Sequence, residues 1–162
     1  MKVLTAFLLA AVLLAAQPVI AQEEKGASSA DTNMEILLQK VKADKKLLIA
    51  ANMDLTDAEG KKFWPLYEAY QKELEKQNGR LGKAIMEYAD AYNKGPIPND
   101  KAKKLMKEVL SVEEAEVKTK QAYAKKIGKV LPGAKTARYM QIETKIRAAL
   151  KYELAKQIPL VD

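Results

Sequence analysis

The chain has no cysteine and no histidine. Without cysteine, no disulfide can staple the fold. The joint absence removes the usual ligands of zinc, copper and haem, and with them the commonest general base. It also removes Ser–His and Cys–His nucleophile pairs. Arginine is scarce: Arg80, Arg138 and Arg147 stand against 25 lysines. Arginine is the residue that forks onto phosphate, whereas lysine is more often a solvated point charge. The basic balance therefore does not point to nucleic acid. No glycine-rich phosphate loop is present, so nothing calls for ATP. The carboxylates follow no calcium-loop spacing. No metal or other cofactor is expected. No nucleophile–base constellation is visible either, so the expectation is a protein that is not an enzyme.

The first 21 residues are the most informative stretch that is present. Lys2 supplies a positive start, and Val3–Ala16 is apolar except for Thr5. Gln17 and Pro18 end the run, and Val19-Ile20-Ala21 offers the compact residues a signal peptidase reads. Residues 1–21 read as a cleavable secretory signal peptide. The apolar run is shorter than the ~20 residues a membrane span needs. The expected location is the periplasm, with no stable membrane insertion after cleavage. Cleavage leaves 27 Lys and Arg against 21 acids, a charge of +6. That charge keeps the protein soluble and attracts acidic surfaces, unfolded clients or anionic lipid.

Residues 22–31 are small and polar and read as a flexible leader. Residues 32–162 read as a single all-α domain of four main helices. The first opens at the capping box Thr32-x-x-Glu35, runs from about Asn33 to Ala51 and carries Met34, Leu37, Leu38, Val41, Leu48 and Ala51. The second opens at Thr56-x-x-Glu59. Its stripe of Phe63, Tyr67, Tyr70, Leu74, Leu81, Ile85, Tyr88 and Tyr92 predicts a helix of more than 30 residues. The stripe runs through Pro65, which predicts a kink rather than an end. Asn78-Gly79 and Gly82 predict a bend. Gly95-Pro96-Ile97-Pro98 is a stop. The third helix opens at Asn99 or Asp100 and reaches about Val130, and Pro132-Gly133 separates it from a fourth that ends before Pro159. No segment alternates with period two, so no sheet is expected.

The short loop near residue 95 makes the second and third helices an antiparallel hairpin. It sets Gln77 opposite Glu116 and Tyr88 opposite Leu105. Glu113, Glu114 and Glu116 occupy the middle, where a compact bundle would place apolar residues. The hairpin is therefore expected to be elongated or cradle-like rather than a compact bundle. The alternative is that the outer helices cover the ends and solvent meets the middle.

Two helix starts look alike. Leu55-Thr56-Asp57-Ala58-Glu59 with Phe63 aligns with Leu131-Pro132-Gly133-Ala134-Lys135 with Tyr139. Here the chain resembles the Spy/CpxP group of periplasmic helical stress proteins, which carry two L-T-x-x-Q motifs at helix starts. Glu59 replaces the Gln in the first motif, and only Leu131 is kept in the second. The chain is closer to a set of exported bacterial proteins with L-T-x-x-E-x-x-x-F-W-P-L-Y and a later L-P-x-x-K-x-x-R. The resemblance implies a cradle-shaped helical dimer that binds unfolded clients without ATP or engages a sensor kinase. Metal-sensing relatives use histidine, which this chain lacks.

Candidate contact residues follow from these readings. Trp64, a quarter-turn off the apolar stripe, and the edge of Tyr67 read either as core around Pro65 or as a client contact. Arg138 reads as a local cap or a partner contact. Lys61, Lys62, Lys103 and Lys104 read as solvated faces or as a basic rim around an apolar surface. The leading expectation is a holdase-type chaperone for unfolded or acidic proteins. The alternative is an adaptor for the sensor domain of an envelope-stress kinase.

Overall fold

A computed structural model describes residues 42–161 of the protein. The signal-peptide reading of 1–21, the leader 22–31 and the Thr32 capping box with Met34, Leu37, Leu38 and Val41 lie outside the described residues. Within them every regular element is helical: α1 (residues 42–53), α2 (Asp57–Tyr92), α3 (Asn99–Ile127) and α4 (Gly133–Ala155).

The start of α2 is dictated locally. The Thr56 hydroxyl accepts from the Glu59 N–H, and Glu59 Oε2 accepts from the Thr56 N–H at 2.9 Å. This reciprocal cap satisfies two otherwise orphaned donors. Helix α2 then runs unbroken for 36 residues through Pro65, Gly79 and Gly82. It stops before Gly95, whose φ of 121° suits glycine alone. Helix α3 ends at Ile127, three residues earlier than expected, and a turn through Leu131 leads to α4.

The hairpin register follows the expected pairing. Gln77 Nε2 donates to Ala115 O and Thr119 Oγ1, beside Glu116. Farther up, Arg80 Nε donates to Glu108 at 2.9 Å and Lys101 pairs with Glu87 at 2.6 Å. Tyr88, expected opposite Leu105, gives its hydroxyl proton to Pro159 O at 2.8 Å, which ties the chain's last residues to α2. Helix α1 runs antiparallel to α2, because Lys42, Lys45 and Lys46 reach Glu75, Gln71 and Glu68 in turn. Helix α4 rises beside α2 from the same end and meets it through long side chains. The closest backbone approach is between α2 and α3.

The main core lies where all four helices meet. Ile49, Met53, Phe63, Ile127 and Tyr139 are fully buried there, with Tyr67, Tyr70, Leu74, Tyr123 and Leu131 around them. Burying side chains of this size contributes about 1.5–3 kcal/mol each. The middle of the hairpin is polar, as its glutamates suggested, but it is not open. Arg147 of α4 reaches in and forks onto Glu116, with Nε–Oε2 at 3.0 Å, and its Nη1 donates to Asn78 Oδ1 at 3.1 Å. Lys151, also of α4, pairs with the same carboxylate at 3.2 Å, so α4 supplies the cations that let Glu116 be buried.

Candidate binding surfaces

The two similar helix starts stand side by side. Lys135 Nζ donates to Glu59 Oε2 and to Asp54 O, both at 2.6 Å. Phe63 and Tyr139 meet edge-to-face with centroids 5.0 Å apart. Positions 59 and 135, and positions 63 and 139, are equivalent in the repeat, so the repeat builds one shared junction. The Lys135 hydrogen bond, then the Thr56 N–H, holds the Glu59 carboxyl below its usual pKa. Asp54 has φ 45°, a left-handed conformation that aspartate tolerates better than most residues, and its carbonyl is the one Lys135 takes. Arg138 Nη1 donates to Asn52 O at 3.4 Å. Arg138 therefore serves an orphan carbonyl at the end of α1, which is the capping role.

Under this junction lies a buried polar cluster. Glu143, 4% exposed, accepts from Lys45 Nζ (2.8 Å), Gln71 Nε2 (2.9 Å) and the Tyr139 hydroxyl (3.1 Å). Every partner is in place, as a buried carboxylate requires. Burial, then the neighbouring carboxylate, pushes the Tyr139 phenol far above its ordinary value.

Trp64 is half-buried. Its ring stands edge-on to Phe63 at 5.0 Å and to Tyr67 at 5.5 Å, and Lys46 Nζ sits 5.3 Å from its centroid. The indole covers Gly60, where a Cβ would stand 3.5 Å from Trp64 Nε1. Ala50, Leu55, Gly60, Trp64 and Pro65 line an open groove of about 660 Å³, with Asp57, Lys61 and Glu68 at its edges. Tyr67 does not share this surface, contrary to the sequence reading. It is 4% exposed, on the buried stripe between Phe63 and Tyr139. Burial, then Glu143, raises its phenol to about 12.

The four candidate lysines are exposed but do not form one rim. Lys61 and Lys62 lie near the start of α2, and Lys103 and Lys104 near the start of α3. An antiparallel hairpin puts those starts at opposite ends, roughly 40 Å apart at 1.5 Å per residue. Spacing along the sequence could not show this, because it is the pairing of the helices that separates them.

A further apolar surface escaped the sequence reading. Met106, Leu110 and Val117 are 56–59% exposed on α3. Each lies one residue, about 100°, beyond buried Leu105, half-buried Val109 and buried Glu116. Their mutual spacing of four and seven was the available signal. Met86, Leu150 and Tyr152 are also open on the neighbouring helices.

Among the described residues, no group of three acidic, His or Cys side chains is arranged to hold a metal ion. No helix among them is long and apolar enough to cross a membrane. Compared with family models, curated proteins and solved structures, the chain matches none.

Proposed function

We propose that this protein is an exported, non-enzymatic binding protein, a periplasmic holdase that captures unfolded proteins weakly and without ATP. The observation that carries this reading is the row Met106, Leu110 and Val117, open to solvent along one face of α3. Large apolar side chains arrayed on a rigid helix, two of the nearby ones methionine, suit varied and reversible contacts. The surrounding lysines speed encounter with acidic clients, and burial of apolar surface retains them. The export signal in residues 1–21 and the Spy/CpxP-like helix starts are the sequence support, and the cradle-shaped dimer belongs to the same proposal.

The test is suppression of aggregation of two unrelated denatured proteins. Wild type suppresses both, and Met106→Ser/Leu110→Ser/Val117→Ser loses most of the effect with its melting temperature kept. Equal suppression by wild type and variant overturns the assignment to this face, and no suppression by wild type overturns the holdase reading.

One observation favours the adaptor reading instead. The Trp64 groove combines one large aromatic side chain with charged residues in a single place, which suits one defined partner better than many. If Trp64→Ala abolishes a single crosslinked partner while aggregation is unaffected, the adaptor for an envelope-stress sensor takes precedence.

A further inference from the structure

The charge of the described residues is concentrated in one place. Residues 117–147 hold nine Lys and Arg and a single acid, Glu143. The rest of residues 42–161 hold sixteen Lys and Arg and fifteen acids, so that remainder is nearly neutral. The single acid in the basic stretch does not offset the surface, because it is buried against Lys45. Three of the nine cations are paired: Lys118 with Glu114, Lys135 with Glu59 and Arg147 with Glu116. The other six, Lys120, Lys125, Lys126, Lys129, Arg138 and Lys145, have no acid partner among the described residues.

These six sit on the last turns of α3, on the turn after it and on the first half of α4. Lys125 and Lys126 complement the carbonyl end of α3, which gives them a local reason to be there. That reason does not reach Lys129, beyond the helix, or Lys145, three turns into α4.

We propose that this surface docks on an anionic phospholipid bilayer. Three features favour a bilayer over an acidic protein. Lys125, Lys126, Lys129 and Lys145 are exposed over two helices and their connecting turn, with Lys120 in the groove between the helices on Thr144 and Arg138 on Asn52 O, a broad distribution that suits a broad partner. Five of the six are lysine, which attracts diffuse negative charge without demanding the fixed geometry that guanidinium gives. Gln141, Lys145, Ala148 and Tyr152 share one outer stripe of α4, and Tyr152 is 64% exposed. Tyrosine beside lysine is the pairing that settles at the headgroup level. The depression in this surface, lined by Lys120, Met140, Gln141, Thr144 and Lys145, is open to solvent. The apolar row of α3 begins at its edge with Val117, so docking leaves Met106 and Leu110 clear.

The test is co-sedimentation of the full chain with phosphatidylcholine vesicles, with and without phosphatidylglycerol. The readout is the ratio of the two affinities, to which residues 1–21 contribute alike in every variant. Wild type should prefer the anionic vesicles, and the preference should fall as salt rises. Each lysine near an anionic surface is worth about five-fold, so Lys125→Gln/Lys126→Gln/Lys129→Gln should lose on the order of 100-fold of the preference. Lys83→Gln/Lys103→Gln/Lys104→Gln removes the same charge elsewhere and should lose little. Circular dichroism checks that both variants stay helical. Equal losses in the two variants, or no preference in wild type, overturn the proposal. Binding of polyglutamate that depends on Lys125, Lys126 and Lys129, without vesicle binding, assigns the surface to an acidic protein instead and also overturns it.

Discussion

The two ends of the molecule are held by different means. At the junction end four helices converge on Phe63, Tyr67, Tyr70, Tyr123 and Tyr139, whose rings meet edge-to-face or tilted at 5.0–6.3 Å. Toward the loop end the buried apolar side chains are fewer, Ala84 of α2, Ile97 of the loop and Leu105 and Val112 of α3, with Tyr88 anchoring the chain's last described residues. The first end buries a large aromatic core, though Leu47 and Leu48 of α1 stay exposed; α1 turns Ile49 and Met53 inward rather than the expected Leu48. The second leaves Met86, Met106 and Leu110 in solvent. Between them lies the Glu116–Arg147–Asn78 belt. The difference teaches that the large buried rings are concentrated at one end of the long hairpin, while most of the exposed apolar side chains of α2 and α3 lie toward the other.

The strongest way to break this comparison is to empty each core in turn. Phe63→Ala should cost about 4 kcal/mol, because it removes a fully buried ring and its aromatic neighbours' contacts. Leu105→Ala, at the loop end, should cost about 2 kcal/mol. Urea unfolding measures both, and equal costs would remove the distinction.

Alkali should attack the junction end through its buried tyrosines. Burial raises the phenols of Tyr67 and Tyr70 to about 12 and that of Tyr139 further. In the unfolded chain they ionise near ~10. Above that pH the unfolded state has lost protons that the folded state keeps, so stability falls as pH rises from about 10 through about 12. Phenolate absorbance should therefore rise together with a red shift of Trp64 emission. Ionisation of these tyrosines near their ordinary value, with Trp64 unmoved, would contradict the structure. Acid behaves differently. Glu59 at one end and Glu87 and Glu108 at the other are all held below their usual pKa by Lys135, Lys101 and Arg80. Their contribution is present above the ordinary carboxylate value and is lost at both ends as pH falls below it.

The belt between the ends sharpens the comparison. Glu116→Ala leaves the Arg147 guanidinium half-buried with only Asn78, and should cost about 2 kcal/mol. The double variant Glu116→Leu/Arg147→Leu should recover most of that loss, since both charges go together. Thermal melts of the single and double variants decide it.

The smallest effects should come from the helix glycines beside that belt. A Cβ at Gly79 or Gly82 meets nothing within 4 Å. Gly79→Ala and Gly82→Ala should each stabilise by about 0.8–1 kcal/mol through helix propensity. A loss of stability at either site would mean that close approach, not tolerance, keeps glycine there.

The helices and the hairpin register were legible because they rest on local chemistry. The Thr56–Glu59 cap, the 3.6-residue stripe from Phe63 to Tyr92 and the Gly95–Pro98 stop are all statements about neighbours in sequence. The candidate surfaces were legible only in part. Trp64 stands where its quarter-turn offset put it, at the edge of a groove. Tyr67 lies on the stripe itself, and Tyr139 of α4 closes over it. Lys61 and Lys103 look alike in sequence, and only the antiparallel pairing separates them.

What the sequence determined by itself is the all-α class, the positions of the helix starts and the polar middle of the hairpin, because capping, periodicity and turn chemistry act over a few residues. What only the tertiary structure decided is which polar groups are satisfied and which apolar groups are covered. Glu143 acquires Lys45, Glu116 acquires Arg147 and Glu59 acquires Lys135 across 98, 31 and 76 residues. Met106, one residue from buried Leu105, is left uncovered. A helix fixes which side chains share a face, and the choice of face to bury is made by the helices packed against it.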